Sequence, residues 1–341
     1  MILGVESTCD ETGVSVVSGD ALLANVVATS MQEHVRFGGI IPEIASRAHL
    51  ESFLPTLDAA LGEADVTLGD VDAIAVSAGP GLIGSLTVGI TAAKGLAVAL
   101  NKPAYGVNHI IGHLAVDMFQ GGPLPDKFIG LVASGGHSNL LLVEDIARSV
   151  TELGGTLDDA AGEAFDKVGR LLGLPYPGGP HVDRLAAEGD RGAVRFPRGL
   201  AAGKDKERYR YDFSFSGLKT AVSRFVADNE DVSPADIAAG FSESVNDSLT
   251  AKAVAAAVGL GVDTIVAGGG FTANSRFREL LRERADEAGI TVRIPPIQLC
   301  TDNGAQIGAL GSLLYAAGLP PSPADFGPKS NMPLSQVYIS Q

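Results

Sequence analysis

The sequence contains only two cysteines and no tryptophan, and its basic residues are outnumbered by acidic ones. Cys9 and Cys300 alone exclude a disulfide framework and favour a reducing compartment, so a cytoplasmic location is expected. Lys and Arg number 25 against 40 Asp and Glu, which gives a net charge of −15 at pH 7. The field of the whole chain therefore repels nucleic acid, and contact with RNA requires a local basic surface or a basic partner.

Long apolar runs are also scarce. The N-terminal "MILGVESTCDET" has no basic region and becomes acidic at once, unlike a secretory signal peptide. No apolar run approaches about 18 residues without a polar interruption, the length that a membrane-spanning helix needs. We therefore expect no membrane span and no membrane partner.

Glycine is abundant, at 43 of 341 residues. The glycines cluster between predicted strands, which favours ligand-binding turns over low complexity. A chain of this length is too long for one ordinary core and predicts two domains.

The same order of elements occurs twice along the chain. Each half begins with an apolar strand, a turn of small polar residues and two further strands, as in "MILGVE" with "STCDET" and "FIGLVA" with "SGGHS". A strand, glycine-rich loop, helix and strand follow, beginning at "VDAIAV" and "VDTIVA". This α/β plan predicts a duplicated, two-lobed fold with a central cleft, in which residues 1–112 and 304–341 form one lobe and 113–303 the other.

A pair of histidines lies in the segment "NHIIGH". His109 and His113 are four residues apart and so share one face of a helix, although such a pair alone is more often a core or surface feature than a ligand set. If the two halves superpose, Asp302 corresponds to His109, since each follows the last strand of its unit. These three residues then form a two-histidine, one-carboxylate set with open positions, which suits iron(II) or zinc.

Three glycine-rich loops follow predicted strands, at residues 78–85, 133–138 and 267–274. Backbone N–H groups in such loops, and at the start of a helix, attract phosphate. Each loop alone could be only a tight turn, but three of them without a Walker motif favour an actin-like nucleotide cleft. Asp166 could bind ribose hydroxyls and Asp183 opens a helical stretch, although each alone is typical of a solvated or capping carboxylate.

A series of short segments then runs along nearly the whole chain, from residue 4 to beyond residue 310: "ESTCDET", "NHIIGH", "ASGGHS", "GEAFDKV", "YPGGP", "DFSFSGLKTAV", "GGGFTAN" and "CTDNGAQIG". This series resembles the bacterial branch of the TsaD family, the tRNA threonylcarbamoyladenosine transferases formerly described as O-sialoglycoprotein endopeptidases. The resemblance implies the two-lobed acetate kinase/Hsp70/actin (RNase H-like) fold, in agreement with the duplication.

The resemblance also implies a reaction. A threonylcarbamoyl group passes from threonylcarbamoyl-AMP to the exocyclic N6 amine of the adenosine immediately 3′ of the anticodon, in tRNAs that read codons beginning with adenine. One iron(II) or zinc ion per subunit is implied at His109, His113 and Asp302, and an adenine nucleotide could also occupy the cleft. The positions implied to bind substrate are Val132, Ala133, Ser134, Gly135, Gly136, Asp166, Gly179, Asp183 and Asn274.

An acidic pair of the family, Asp10 and Glu11, lies in the first turn. An aromatic exocyclic amine is a poor nucleophile, so we predict that Glu11 removes its proton as general base, with Asp10 as the second choice. The alternative is that both carboxylates only anchor the turn.

Two other activities can be weighed against this interpretation. A zincin protease requires His-Glu-x-x-His, and position 110 is Ile rather than Glu, so the protease is rejected. A small-molecule, sugar-type kinase or another ATP-binding protein of the actin-like fold remains the alternative, because a fold does not fix a function. Such a kinase would have no use for the histidine pair.

An acidic enzyme that acts on tRNA needs a basic contact surface. Residues 191–211 contain seven Lys or Arg against two acids, with Tyr209 and Tyr211 interleaved, which suits RNA contact and a solvated insert equally well. Besides tRNA, the resemblance implies a TsaB-like paralogue, a TsaE-like ATPase and a TsaC-type enzyme that supplies the adenylate. The predicted helix 42–61 has an apolar stripe that is mostly core but could contact a partner helix: Ile44, Ala48, Phe53, Leu54, Leu57 and Leu61.

Overall fold

The computed structural model describes residues 1–201, 203–229 and 231–340. The chain divides into two compact units. The first unit comprises Met1–Leu124, Glu144–Val150 and Thr301–Gln341, and the second comprises Pro125–Val143 and Thr151–Cys300. Relative to the lobes expected from the sequence, the first unit also includes residues 113–124, 144–150 and 301–303.

The first unit is built on a five-stranded sheet with the order β3-β2-β1-β4-β5. Its strands are β1 (Ile2–Glu6), β2 (Glu11–Ser18), β3 (Ala21–Thr29), β4 (Ala73–Gly79) and β5 (Ala104–Asn108). The first three strands form an antiparallel meander, whereas β1, β4 and β5 are parallel. The carboxyl ends of these parallel strands therefore meet at one edge of the sheet.

The second unit repeats this plan with the order β10-β9-β6-β7-β8. Its strands are β6 (Phe128–Ala133), β7 (Ser138–Asp145), β8 (Ser149–Gly155), β9 (Thr264–Gly268) and β10 (Thr291–Arg293). Strand β6 pairs antiparallel with β7 and parallel with β9, as β1 pairs with β2 and β4. The duplicated α/β architecture predicted from the sequence is thus confirmed, strand by strand.

Helices cover both sheets. In the first unit they are α1 (Met31–Val35), α2 (Pro42–Ala64), α3 (Ile83–Leu100), α4 (His109–Ala115), α5 (Met118–Gly121) and α12 (Gly304–Ala316). In the second unit they are α6 (Ala161–Leu171), α7 (Gly178–Ala186), α8 (Gly203–Arg208), α9 (Ser216–Asp228), α10 (Pro234–Leu260) and α11 (Ser275–Ala288). In α11 the apolar positions recur with a helical period, and Phe277, Leu280, Leu281 and Ala285 are buried whereas Ala288, at the end of the helix, is exposed.

Glycines allow α12 to lie very close to the first sheet. A Cβ on Gly4 would lie 2.4 Å from the Gly308 nitrogen, and a Cβ on Gly13 would lie 2.4 Å from the Gly304 nitrogen. Side chains at these positions would push the helix away from β1 and β2. The close packing fixes the N-terminal end of α12, where Asp302 lies two residues upstream.

Two expectations about helices need correction. Helix α3 is long and apolar enough to cross a membrane by length and composition alone, although the sequence was expected to contain no such segment. In the structure it packs on β4 and α2 and buries Leu86, Ile90 and Ala93. In α2, Phe53 and Leu57 are buried as expected, but Leu54 is 64% exposed, because the helix turns it away from the core.

Candidate metal centre and nucleotide-binding loops

The structure brings His109, His113 and Asp302 together within the first unit. One ligand atom from each lies within 4.8 Å of the other two. Asp302 Oδ1 is 3.7 Å from His109 Nε2 and 3.3 Å from His113 Nε2. Two imidazole nitrogens and a carboxylate oxygen converging in this way could hold one divalent metal ion.

The environment of His113 fits a metal ligand. The side chain is fully buried, and neither ring nitrogen makes a hydrogen bond among the described residues. A buried imidazole without a hydrogen-bond partner is destabilising, since burial removes the water that it would otherwise bind. Coordination of a cation by one nitrogen would supply the missing interaction at that atom.

The side of the His109 ring away from Asp302 is hydrogen-bonded to Glu6, which is fully buried at the end of β1. Glu6 Oε2 lies 2.9 Å from His109 Nδ1, so Nδ1 carries a hydrogen, and once the ring is neutral Nε2 is the lone-pair nitrogen that faces Asp302. Gln306 donates from its side chain to the same oxygen at 3.2 Å, and the Thr8 N–H donates to Oε1 at 2.6 Å. Both carboxylate oxygens of Glu6 are therefore used as acceptors.

Glu6 and His109 change each other's pKa. Burial raises the pKa of Glu6, but the charge and hydrogen bond of His109 outweigh this effect and the pKa is lowered. Burial lowers the pKa of His109, but the charge of Glu6, followed by that of Asp302, raises it to about 9. Before metal binds, the imidazole therefore carries a proton at neutral pH that a cation must displace.

Local sequence explains why α4 begins at the right place. The Asn108 side chain caps the helix by accepting from the N–H groups of Ile110 and Ile111. A Cβ on Gly112 would lie 3.1 Å from the Gln306 carbonyl oxygen, so this glycine lets α4 and α12 pack closely. These features place α4, with its two histidines, next to Asp302.

Asp302 follows the last strand of its half at a distance. The sequence predicts it as the counterpart of His109, which directly follows β5. In the structure, residues 294–301 separate it from β10, and it belongs to the same compact unit as His109. The predicted grouping of the three side chains is confirmed, and the packing of α12 on the first sheet holds the helix that follows Asp302.

The acidic pair lies in the same unit, with Asp10 just before β2 and Glu11 as its first residue. Asp10 is buried, and its Oδ2 makes no hydrogen bond among the described residues. Burial, followed by the negative charges of Asp302 and Asp10, raises the pKa of Glu11 well above its usual range. A cation bound to Asp302 would oppose the repulsive part of this shift.

In the second unit, the loop after β6 has the features of an anion-binding turn. Val132 and Ala133 are buried in the strand, whereas Gly135 and Gly136 are exposed. Ser134 closes the turn by hydrogen bonds with His137, and within the described chain no backbone acceptor binds the N–H of Gly135 or Gly136. The two amides are therefore available to a phosphate.

The other predicted substrate residues surround helix ends of the same unit. Asp166 accepts from the Gly178 N–H at 2.6 Å, next to Gly179, and burial raises its pKa in spite of these N–H groups. Asp183 accepts from Asn274 Nδ2 at 2.8 Å and from the N–H and hydroxyl of Ser275. Both carboxylates thus have structural hydrogen bonds, as the capping alternative predicted, and both keep partly exposed surface.

A sequence model of the family described as "TsaD: tRNA N6-adenosine threonylcarbamoyltransferase" matches residues 21–309. The chain is 53% identical to the tRNA N6-adenosine threonylcarbamoyltransferase of Bifidobacterium adolescentis and 54% identical to that of Bifidobacterium longum, over 99% of this chain and of each relative. The chain belongs to the TsaD family. This membership favours the transferase over the kinase alternative.

Solved structures resemble the chain in fold alone. The HypF structure from T. kodakarensis has a TM-score of 0.62 at 16% identity, covering 93% of this chain and 48% of HypF. The activator of 2-hydroxyisocaproyl-CoA dehydratase from Clostridium difficile, solved with bound ADPNP, has a TM-score of 0.54 at 14% identity over 93% of this chain and 96% of that one. These neighbours support the predicted actin-like fold for this TsaD-family chain.

The basic segment predicted at 191–211 is only partly described, because Ala202 and the side chains of Lys204 and Lys206 lie outside the described residues. Arg191 pairs with Glu279 at 3.3 Å, and Arg198 pairs with Asp247 at 2.7 Å. The guanidinium groups of Arg208 and Arg210 lie over the rings of Tyr209 and Tyr211. Part of the positive charge is therefore neutralised within the fold.

Sequence reasoning missed several residues that the TsaD-family site depends on. Glu6 and Gln306 orient His109, and Asn108 caps α4. A signal existed for Glu6, since it ends an apolar strand that is parallel to β5, and the ends of parallel strands meet. Asp158 was missed as well: it accepts from Ser214, Phe215 and Ser216 and so holds the start of α9 in the "DFSFSGLK" segment.

Proposed function

We propose that the chain transfers the threonylcarbamoyl group from threonylcarbamoyl-AMP to N6 of the adenosine immediately 3′ of the tRNA anticodon. One observation carries the proposal. His109, His113 and Asp302, the proposed metal-ligating cluster, lie together in a chain that is 53% identical to a tRNA N6-adenosine threonylcarbamoyltransferase over 99% of its length. A tRNA substrate agrees with the expected cytoplasmic location.

His109, His113 and Asp302 would hold one divalent ion, iron(II) or zinc, since nitrogen and oxygen donors without thiolate suit either. The bound ion would supply positive charge for oxygen atoms of the substrate. Glu6 would keep His109 in the tautomer that presents Nε2 to the ion.

The loops of the second unit are suited to the adenylate. The free N–H groups of Gly135 and Gly136 would face the phosphate, and the buried Val132 and Ala133 would form the wall behind it. The ribose and base would lie near Asp166, Gly179, Asp183 and Asn274. An adenine nucleotide could occupy the same loops.

The acyl carbon of a carbamoyl–phosphate anhydride is already activated, so the enzyme mainly orients it. The adenosine N6 attacks this carbon, the new C–N bond forms, and the C–O bond to AMP breaks. Glu11 would take the N6 proton as this happens, with Asp10 as the second choice. A raised pKa brings the basicity of Glu11 closer to that required at neutral pH.

Partners are needed to bring tRNA to an acidic chain. Helix α2 exposes Leu50 and Leu54, at 70% and 64%, beside its buried face. Such an apolar helix face would suit a helix of a TsaB-like paralogue. A TsaE-like ATPase and a TsaC-type enzyme that supplies threonylcarbamoyl-AMP complete the proposed set.

The test uses purified protein, its TsaB- and TsaE-like partners, synthetic threonylcarbamoyl-AMP and unmodified tRNA. Digestion to nucleosides and mass spectrometry would detect threonylcarbamoyladenosine. We expect product from wild type and from Thr56→Val, a buried control on α2 whose hydroxyl, among the described residues, bonds to the Ser52 carbonyl of its own helix. Folded His113→Ala should lack both bound metal and product. No product from wild type with active partners would overturn the proposal.

A further inference from the structure

We propose that His34 and His49 are positioning residues that hold the acidic turn, residues 9–12, through its main chain and the Thr12 hydroxyl. Both side chains are buried in the first unit, and neither belongs to the metal-ligating cluster. The inference rests on the proposed function of Asp10 and Glu11, which lie in this turn.

His49, on α2, spans the two ends of the turn. Its Nε2 lies 3.2 Å from the Cys9 carbonyl oxygen, and its Nδ1 lies 2.8 Å from Thr12 Oγ1. A carbonyl oxygen can only accept, so Nε2 carries the hydrogen and the bare Nδ1 accepts the hydroxyl hydrogen of Thr12. A neutral imidazole with this tautomer satisfies both partners at once.

Burial also keeps His49 neutral. It lowers the pKa of His49, and the hydrogen bond to Cys9 and the charges of Glu6 and Asp10 offset this only in part. An imidazolium would turn an N–H toward Thr12 and lose the acceptor that its hydroxyl uses. The neutral form is therefore the one that holds the turn.

His34, on α1, acts on the middle of the turn through Ser30. The Ser30 hydroxyl donates to the Asp10 carbonyl oxygen at 3.0 Å, and the Ser30 N–H donates to the same oxygen at 3.0 Å. Since its hydrogen is used, Ser30 Oγ accepts from His34 Nε2 at 3.1 Å. The opposite nitrogen of His34 accepts from the Ile41 N–H at 3.2 Å, which fixes the ring.

These contacts add to the pairing of Glu11 with Thr29 in the sheet, and together they fix the main chain from which the two carboxylates project. The carbonyls of Cys9 and Asp10 belong to the peptide groups on either side of Asp10, and Thr12 follows Glu11 directly. The main chain is thus held before, between and after the acidic residues. Asp10 Oδ2 accepts no hydrogen bond from the usual donors among the described residues, and a side-chain hydrogen bond joins Asp10 to Glu11, so the two carboxylates are positioned by this backbone and by each other. Geometric precision of this kind affects turnover strongly, because a displacement of about 1 Å can cost about 100-fold in rate.

The experiment compares His49→Leu, which removes both hydrogen bonds, with His49→Gln, whose amide nitrogen can still donate to the Cys9 carbonyl. We expect His49→Leu to lower kcat about 10- to 100-fold with little change in KM for threonylcarbamoyl-AMP. His49→Gln should recover a substantial part of kcat. The Zn²⁺ dissociation constant should stay within about twofold of wild type in both, because neither bond involves a ligand. Thr56→Val serves as the control for a buried polar change on the same helix.

A second readout does not depend on turnover. The titration of the Glu11 carboxyl, followed by ¹³C NMR of the metal-free protein and assigned with Glu11→Gln, should shift in His49→Leu and return toward wild type in His49→Gln. Folded variants with wild-type kcat and an unshifted titration would overturn the positioning role, as would a Gln variant no better than Leu. If wild type makes no product but the titration shifts as expected, the proposed function fails while the positioning role stands.

Discussion

Replacing Glu6 by Gln tests the arrangement behind the metal-ligating cluster with almost no change in volume. In the structure both carboxylate oxygens accept hydrogen bonds: Oε1 from the Thr8 N–H at 2.6 Å, and Oε2 from His109 at 2.9 Å and Gln306 at 3.2 Å. An amide has only one acceptor oxygen. Whichever way it is turned, its NH₂ group faces a donor, so one of these buried interactions must fail.

We expect the lost hydrogen bond to weaken metal binding through its effect on His109. If the amide NH₂ faces Nδ1, that nitrogen must give up its hydrogen, and the neutral ring then carries the hydrogen on Nε2, where the metal would bind. Loss of such a supporting hydrogen bond typically weakens metal affinity 10- to 100-fold, which corresponds to about 1.4 to 2.7 kcal/mol. Glu6→Gln should therefore raise the Zn²⁺ dissociation constant by that factor.

The assay is competition with a fluorescent chelator at fixed pH, with circular dichroism to show that the variant is folded. Glu51→Gln, an exposed carboxylate on α2, is the matched control and should leave the affinity unchanged. A folded Glu6→Gln protein with a dissociation constant within twofold of wild type would refute the reasoning. It would mean that His109 is oriented by the fold of α4 alone.

Three further predictions follow from single residues. The charge of Glu6 raises the pKa of metal-free His109 to about 9, so Zn²⁺ must displace a proton below that pH. The Zn²⁺ affinity should therefore rise about tenfold per pH unit up to about pH 9, and an affinity that does not change with pH would contradict this. Gly269→Ala should lower the free energy of unfolding, measured by urea denaturation, by about 1 to 3 kcal/mol, since the φ of Gly269 is +94° and a Cβ there would lie 2.3 Å from a carbonyl oxygen. Gly135 has open space around it in the described chain, so Gly135→Ala should cost almost nothing. Equal losses of stability in the two variants would be inconsistent with the loop geometry. Asp158→Ala should lower the free energy of unfolding by about 1 to 2 kcal/mol at pH 7, because it removes the cap of α9. Burial raises the pKa of Asp158, but its hydrogen bonds outweigh this effect and the pKa is lowered, so the difference in stability from wild type should shrink when acid protonates the wild-type carboxylate. A difference in stability that persists in acid would argue against the cap.

The duplicated fold could be predicted because its signals are local. Each half carries its own strands, turn residues and glycine-rich loop, so the same order of elements is visible twice along the chain. The sequence could also group His109 with His113, since their spacing alone places them on one helix face. Both predictions required only residues that are close in sequence.

The remaining features depend on contacts that sequence spacing does not encode. Glu6 meets His109 because β1 and β5 are parallel strands of one sheet, and Asp302 joins them because glycines bring α12 onto β1 and β2. His49 contacts the acidic turn directly from α2, and His34 acts on it from α1 through Ser30. A histidine in an amphipathic helix gives no indication of which carbonyl it will bind, so these roles appear only in three dimensions.

The division of the chain into two units also divides the chemistry. All three candidate metal ligands, Glu6 behind them and the acidic turn belong to the first unit, whereas the loop at 132–136 and the carboxylates that frame it belong to the second. Each set is held by hydrogen bonds within its own unit. Under the proposed function, metal content therefore reports on the first set and adenylate affinity on the second, and a variant that loses turnover is assigned to one set by measuring the two binding reactions separately.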